Sequence, residues 1–204
     1  MNGATLVAAD TRPATDLHAA TIAAFADYLV GPFQMTLEQF PSFVARQGID
    51  LARSRLALQD GAIGAFAFVC PRPEVGRWRL GVMGALPAAR GTGAAPALLD
   101  DFVARTRAAG LPWAELECFA ENERALRLYR SRGFEVVAAL NGWKLPDKFP
   151  DIFITAPPLS PLNQEAVARL REIPQIKGDL IMPIAIASPE LGSGPFALAG
   201  HDQV

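Results

Sequence analysis

The stretch ARGTGAAPALL at residues 89–99 places two glycines and an arginine where an apolar segment gives way to a helical pattern. Gly91 and Gly93 can adopt positive φ angles, and the missing Cβ lets a ligand approach the main chain. Such a corner directs several backbone N–H groups into one space, with the positive end of the following helix behind them. The pattern favours a diphosphate-binding site, although an ordinary strand-to-helix turn has the same glycines. The N–H donors would be those of Gly91, Thr92, Gly93, Ala94 and Ala95.

Two common nucleotide-binding loops do not fit this corner. The GxxxxGK[ST] loop requires Lys-Ser or Lys-Thr after the glycines, and neither follows here. The GxGxxG fingerprint fails because Pro96 stands where the third glycine belongs. Pro96 also has no N–H, which is harmless in the first turn of a helix. The donors must therefore come from about residues 91–95.

A second motif, LECFAENERALRLYRSRGF at residues 116–134, makes the chain resemble the GCN5-related N-acetyltransferase (GNAT) superfamily. The coenzyme A loop of that family has the pattern [QR]xxGx[GA], which Arg90, Gly93 and Ala95 match. The family also has an asparagine followed by AxxLYxxxGF, matched in register by Asn122, Ala125, Tyr129, Gly133 and Phe134. The resemblance covers about residues 4–156, with the specific motifs within residues 85–134. It implies an α+β (mixed α/β) fold whose mostly antiparallel twisted sheet is splayed at the acyl-CoA site and flanked by helices.

The activity implied by the resemblance is transfer of an acetyl group from acetyl-CoA to a primary amine, by direct attack in a ternary complex and without a metal. Making a lysine-like amine of pKa ~10.4 nucleophilic at pH 7 costs roughly 4 to 5 kcal/mol, whereas an α-amine near ~8 costs far less. The leaving sulfur benefits from a nearby acid. A non-catalytic acyl-CoA-binding or regulatory module and an acyltransferase that uses another acyl-CoA are the alternatives.

The resemblance gives Tyr129 and Glu117 the catalytic roles. A phenol with a pKa of about 10 is protonated at neutral pH and can donate to a thiolate with a pKa of about 8.5, so Tyr129 suits the general acid. Its helical spacing with Ala125 also fits a core tyrosine. Glu117 lies between apolar neighbours on a strand, where a carboxylate holds a proton more readily, as a general base requires. A solvated face, shared with Glu115 and Phe119, is the alternative for Glu117.

The main chain before the loop is expected to bind the pantetheine arm of the coenzyme. In the family this segment pairs with the arm like an added strand and donates an N–H to the acyl carbonyl. The corresponding residues are Gly84, Ala85 and Leu86, and Gly84 would permit the bulge that splays the central strands. Asn122 is expected to bind the coenzyme or to cap the next helix. Arg90 is expected to pair with a coenzyme phosphate.

The elements that must position these residues alternate between β-like and helical patterns. Asp60-Gly61 is a strong hairpin signal, and it joins two β-like runs of an antiparallel meander that ends near residue 86. The predicted strands cover residues 5–9, 54–59, 62–70, 77–86, 114–119, 134–140, 152–156 and 179–187. The predicted helices cover residues 15–28, 36–47, 95–109, 123–132 and 163–172.

Composition restricts the function classes further. The chain has 204 residues and a formal charge of −2, which provides no basic field of the kind that nucleic-acid binders use. Cys70 and Cys118 stand singly in apolar stretches without metal or disulfide spacing, so both are expected to be buried. No apolar run approaches the ~20 residues needed to cross a bilayer, and the first residues do not resemble a signal peptide. A soluble cytoplasmic protein is expected, whose partner is an amine acceptor rather than nucleic acid or membrane.

The proline-rich stretch near residue 157 divides the chain. Residues 1–157 are expected to form the acetyltransferase domain, and residues 158–204 an extension with a helix and a strand. The apolar strand within residues 179–187 must be covered, by the same domain or by a second subunit in a homodimer.

Acceptor choice is expected to depend on residues 19–47, with Asp27 or Glu38 as candidates to hold a cation. Two or three large apolar residues of this segment are expected to line an acceptor cavity and the others to be core. They are Phe25, Tyr28, Phe33, Met35, Phe40 and Phe43.

Overall fold

Four strands precede the glycine corner along the chain. The computed structural model describes residues 4–139, 142–143, 180–181 and 183–187. The strands are β1 Thr5–Ala8, β2 Asp50–Gln59, β3 Ala62–Arg72, β4 Arg77–Ala85, β5 Trp113–Phe119, β6 Glu135–Ala139, β7 Gly142–Trp143, β8 Leu180–Ile181 and β9 Pro183–Ala187. The helices are α1 Ala14–Ala24, α2 Phe40–Gln47, α3 Ala94–Ala108 and α4 Glu123–Arg130.

Seven of these strands form one sheet in the order β1-β2-β3-β4-β5-β9-β6. Neighbouring strands run antiparallel except β4 and β5, which are parallel between residues 77–80 and 113–116. Strands β7 and β8 form a separate antiparallel pair. The mostly antiparallel sheet with flanking helices confirms the predicted fold class, and β2, β3 and β4 confirm the predicted meander.

The β2–β3 turn shows how local sequence sets the register of the meander. Asp60 and Gly61 have φ angles of 50° and 81°, the pair of positive values that a two-residue hairpin turn of type I′ requires. Gln59 and Ala62 therefore face each other as the first pair of the hairpin. The predicted turn at Asp60-Gly61 is confirmed.

Helix α1 is shorter than its apolar pattern predicts. It begins at Ala14 after Pro13, which has an extended backbone, so the predicted cap at Thr15 or Asp16 is wrong. It ends at Ala24 rather than near residue 28, because the chain turns at Phe25, whose φ and ψ are −113° and 17°. The apolar residues that follow face a cleft instead of continuing the helix.

The second predicted helix consists of a 3₁₀ turn, Leu37–Gln39, followed by α2. The Thr36 N–H donates to the Gln39 side-chain oxygen at 2.9 Å, which satisfies one donor at the helix start. Pro41 lies in the first turn of α2, where its missing N–H would have had no helical partner. Gly48, with φ of 68°, ends the helix.

The sheet has one apolar cluster on each face. On one face α3 and α4 pack against the strands through residues that include Leu98, Phe102 and Tyr129. On the other face α1 and α2 pack through residues that include Leu17 and Phe40. Fully burying a side chain such as Leu or Phe contributes about 1.5–3 kcal/mol, so these two clusters hold the helices on the sheet.

The segment 179–187, predicted as one strand, contains two: β8, which pairs with β7, and β9, which joins the main sheet. Strand β9 lies between β5 and β6 and is antiparallel to both, with Glu117 opposite Ala185 and Val136 opposite Ile186. The predicted strand 152–156 and the predicted helix 163–172 lie outside the described residues. None of the helices in the described ranges has the length and hydropathy needed to span a bilayer.

Candidate active site

Strands β4 and β5 separate after Leu80, which pairs with Leu116 at the end of their parallel contact. On the other edge of β4 the register with β3 skips one residue, Gly81, which forms a β-bulge. A Cβ on Gly81 would lie 2.3 Å from the Cys70 Sγ, so only glycine fits there. The bulge occurs where the two strands diverge and a cleft opens between them.

The prediction that Gly84 forms this bulge is wrong. Gly84 pairs with Phe66 in regular register. A Cβ on Gly84 would lie 2.9 Å both from the Ala24 Cβ and from the Phe66 ring. Glycine at this position lets α1 approach β4, which brings the end of α1 to the cleft.

The cleft has a volume of about 670 Å³. It lies between the splayed strands, the glycine corner, the start of α4 and the segment that follows α1. Most of the predicted site residues line it: Gly84, Ala85, Arg90, Gly91, Gly93, Ala94, Ala95, Glu117, Asn122 and Tyr129.

Two predicted site residues, Leu86 and Thr92, are not among the described residues that line the cleft. The Leu86 N–H donates to the Gly64 carbonyl at 2.9 Å, so this amide serves the sheet rather than a ligand. The Thr92 hydroxyl donates to the Ala89 carbonyl at 2.8 Å and accepts a hydrogen bond from the Gln59 side chain at 2.8 Å. Both residues hold the loop in shape.

Four amides of the glycine corner are left without a backbone carbonyl partner within the described ranges: those of Gly91, Gly93, Ala94 and Ala95. Gly91 and Gly93 have φ angles of 83° and 90°, and α3 begins at Ala94. The first N–H groups of a helix have no intrahelical acceptor and carry the positive end of its dipole. Since all four residues line the cleft, their amides are suited to binding an anion such as a diphosphate.

Arg90 contacts the protein rather than standing free for a phosphate. Its Nη1 and Nη2 lie 2.5 and 2.6 Å from the two carboxylate oxygens of Asp27. Nη2 also donates to the Ala24 carbonyl at 3.1 Å, and Nε donates to the Ala85 carbonyl at 3.3 Å. This hydrogen bonding holds the pKa of the Asp27 carboxyl below its usual value, so the pair persists at neutral pH. Arg90 therefore ties the loop to the end of α1.

We expect that Asp27→Ala and Arg90→Ala each weaken coenzyme A binding several-fold, and that the double variant loses no more than either single one. Both changes remove the same contact, and coupled residues are not additive. Because Asp27 is exposed, the pair is expected to fix geometry more than to stabilise the fold. Calorimetric titration with coenzyme A measures the effect. Arg127→Ala is the control, since Arg127 pairs with Glu123 on an exposed face of α4. A much larger loss for Arg90→Ala than for Asp27→Ala would instead indicate that Arg90 acts beyond this pair, through its bonds to the Ala24 and Ala85 carbonyls or through a phosphate.

The Tyr129 side chain lies on α4 with 7% of its surface exposed. Burial raises the pKa of its phenol above the ordinary value. Burial also raises the pKa of the Cys118 thiol, on β5 in the same cleft, to about 11. Both groups are protonated at neutral pH, so Tyr129 can donate a proton whereas Cys118 is a poor nucleophile.

Tyr28 is a site residue that the sequence did not single out for chemistry. Its half-buried ring lies 5.6 Å from the Phe119 ring, and the nearby Asn122 side chain partly opposes the effect of burial on the pKa of its hydroxyl. Burial raises the pKa of Tyr28. The sequence predicts it only as one of six large apolar residues, two or three of which line the acceptor cavity, because its proximity to Asn122 joins distant parts of the chain.

Asn122 also caps α4, since its side-chain oxygen accepts a hydrogen bond from the Ala125 N–H at 3.1 Å. The predicted capping role is confirmed. The amide side chain therefore links the start of α4 to Tyr28 across the cleft.

Glu117 lies on the same face of β5 as Glu115, as the alternation predicts. The expected apolar surroundings are wrong, because the side chain is 50% exposed and its Oε1 lies 3.0 Å from Nη1 of Arg79. Arg79 also donates to the Gln47 side chain at 3.1 Å. The second carboxylate oxygen, Oε2, has no hydrogen-bond partner among the described residues, and the side chain lines the cleft.

No group of three His, Cys, Asp or Glu side chains that could hold a metal ion occurs among the described residues.

The family model "Acetyltransferase (GNAT) family" matches residues 22–134, which include the splayed strands, the loop and Tyr129. The chain belongs to the GNAT acetyltransferase family. A search of curated proteins found no match.

Solved structures with the same fold extend over nearly the whole chain. The ribosomal-protein-S18-alanine N-acetyltransferase from Escherichia coli is 19% identical, covers 95% of this chain and 98% of its own, and has a TM-score of 0.58. An N-acetyltransferase from Staphylococcus aureus Mu50 is 14% identical, with 94% and 100% coverage and a TM-score of 0.60. A putative acetyltransferase from Salmonella typhimurium with its cofactor acetyl-CoA is 14% identical, with 97% and 99% coverage and a TM-score of 0.58. At these identities the likeness establishes the fold.

Proposed function

We propose that the protein is an acetyl-CoA-dependent N-acetyltransferase that acts on a primary amine of a small molecule or a protein. The observation that carries the proposal is the meeting of four unpaired amides, at the start of α3, with the buried Tyr129 phenol in one cleft. Membership of the acetyltransferase family supports the reaction class. The similar structure that contains acetyl-CoA supports the donor, and the similar ribosomal-protein-alanine N-acetyltransferase supports an amine acceptor.

The described residues fit acetyl-CoA, which supplies an activated acyl group when bound. The amides of Gly91, Gly93, Ala94 and Ala95 would bind its pyrophosphate. The splayed edge of β4 would lie along its pantetheine arm. Arg124, on the first turn of α4, also lines the cleft, and its cation is suited to a coenzyme phosphate.

Proton transfer would use groups at the divergence of β4 and β5. The acceptor amine must lose a proton and the departing sulfur must gain one. Tyr129 is the donor to the sulfur, since its phenol is held in the protonated form. Glu117 Oε2, directly or through a water chain, removes the proton of the amine. Tyr129 and Glu117 line the same cleft, so both proton transfers can occur while acetyl-CoA and the amine are bound together. This arrangement suits direct attack in a ternary complex.

Amine-dependent release of free thiol from acetyl-CoA tests the proposal. The purified protein is mixed with acetyl-CoA and a panel of primary amines, and the thiol is followed with a colorimetric reagent. Thiol release that rises with amine concentration is expected. Binding of acetyl-CoA without any amine-dependent release would instead support a non-catalytic acyl-CoA-binding module.

Glu117→Gln is expected to lower kcat about a hundredfold at pH 7, the usual scale for loss of a positioned base. The amide keeps the shape and can still contact Arg79, but it cannot accept the proton. The reduction should be largest for lysine-like amines, which are mostly protonated at this pH. Steady-state rates with a lysine-like amine and an α-amine measure this reduction in kcat. Unchanged rates with both would assign proton removal to water alone. Glu115→Gln, on the same strand and paired with Arg77, is the matched control.

A further inference from the structure

The wall of the cleft that follows α1 is aromatic. Phe25, Tyr28 and Phe33 come from the segment after α1, and Phe43 comes from α2; all four line the cleft. They remain half-buried, whereas Phe40 of the same region is 1% exposed and belongs to the core. Their free surface therefore faces the cleft.

These rings support one another in edge-on and tilted contacts. The Phe25 ring lies 4.9 Å from Tyr28 and 6.4 Å from Phe33, and Phe33 lies 5.9 Å from Phe43. Phe25 also contacts the fully buried Phe66 at 6.2 Å, which anchors the wall on the sheet. The wall is preformed, so a flat apolar group could pack on it with little ordering cost.

The carboxylates near this wall are the groups that could accept a hydrogen bond from an amine. Among the described lining residues the carboxylates are Asp27 and Glu117. Both oxygens of Asp27 are bound to Arg90, whereas Glu117 uses one oxygen on Arg79. Glu117 is therefore the acidic group with an oxygen free to accept a hydrogen bond from an amine.

From this juxtaposition we propose that the acceptor is a primary amine joined to an aromatic ring by a short alkyl chain. The ring packs on Phe25, Phe33 and Phe43 while the nitrogen reaches Glu117 and the thioester. Amines with further charges or hydroxyls would have to desolvate those groups against the rings, which is unfavourable. This inference rests on the proposed acetyl transfer and names its substrate class.

Two kinds of acceptor have a primary amine close to an aromatic ring: a free arylalkylamine, and a peptide whose first residue is phenylalanine. Initial rates of thiol release are compared for 2-phenylethylamine, a Phe-Ala-Ala peptide, ethanolamine and 1,4-diaminobutane. We expect kcat/KM for one or both aromatic amines to exceed that for the polar amines by about ten- to hundredfold, the range for burial of a phenyl group. The better of the two aromatic amines identifies the source.

Phe33→Ala should lower kcat/KM for the aromatic amine about tenfold and change that for ethanolamine less than twofold. Leu37→Ala, an exposed apolar residue outside the described lining, should change neither. Unchanged coenzyme A binding by Phe33→Ala shows that the variant is folded. Equal kcat/KM for aromatic and polar amines, or an equal loss with both in Phe33→Ala, overturns the inference while acetyl transfer stands. Absence of release with every amine overturns acetyl transfer itself.

Discussion

Gly93→Leu is expected to reduce coenzyme A affinity more than about a hundredfold. Gly93 has a φ of 90°, where a residue with a side chain is strained by roughly 1–2 kcal/mol. A Cβ there meets no protein atom within 4 Å, so the added side chain would extend into open space beside the four unpaired amides. Strain would displace the amides, and the side chain would exclude the pyrophosphate. Calorimetric titration with coenzyme A measures the loss.

Gly76→Leu is the matched control for this variant. Gly76 also has a positive φ, 62°, and a Cβ there would also lie in open space. However, Gly76 ends the 3₁₀ turn before β4 and is not among the described residues that line the cleft. Its strain should lower the free energy of unfolding to a similar extent while coenzyme A affinity stays unchanged. If Gly93→Leu binds coenzyme A like the unmodified protein, the glycine corner is not the pyrophosphate site.

Tyr129→Phe is expected to lower kcat by about a hundredfold or more, the range for removal of a positioned general acid. The ring is retained, so its packing against Phe134 at 6.1 Å and the shape of the cleft are kept. Coenzyme A affinity should therefore change less than twofold. Single-turnover rates and calorimetry on the same sample separate these two effects. An equal loss of binding would mean that the hydroxyl positions the ligand rather than transferring a proton.

The pH dependence supplies a second measurement for Tyr129. Burial raises the pKa of this phenol, which means that the neutral, proton-donating form persists above the usual pKa of 10.0. The rate should therefore show no decline from loss of this proton between pH 7 and 10. A decline within that range that disappears in Tyr129→Phe would indicate a solvated phenol with an ordinary pKa.

Short sequence signals predicted much of the fold. Asp60-Gly61 fixes its hairpin through local backbone preferences, and the apolar stripe of α3 needs only its own helical period. Both motifs of the cleft are also local, since each places its residues within one strand-to-helix turn. The predicted positions of Gly93 and Tyr129 in the cleft therefore agree with the structure.

Features that depend on distant contacts could not be predicted. Gly81 and Gly84 look equivalent in the sequence, and only packing against Cys70, Ala24 and Phe66 shows which one forms the bulge. The partner of Arg90 is 63 positions away in the sequence, at Asp27. Local patterns carry no information on such pairs.

Helix α1 failed to reach its predicted length for a related reason. Phe25 and the residues after it fit a helical period, but their apolar side chains are needed at the cleft. Hydrophobic periodicity indicates which side chains are shielded from water. It does not distinguish a helix face that is buried in the core from side chains that line a ligand-binding cleft.

Strand β9 affects the order in which this protein can mature on the ribosome. Strands β5 and β6 each pair with β9, so one edge of β5 and the inner edge of β6 have no partner until residues 183–187 have been translated. Before then the β5 edge that carries Glu117 and Cys118 is unpaired in the nascent chain, and such an edge is open to wrong partners. The contacts of β9 join residues far apart in the sequence, and such contacts form slowly during folding. The pairing beside the cleft is therefore complete only after residues 183–187 are available, and until then the nascent chain is most open to wrong strand pairing.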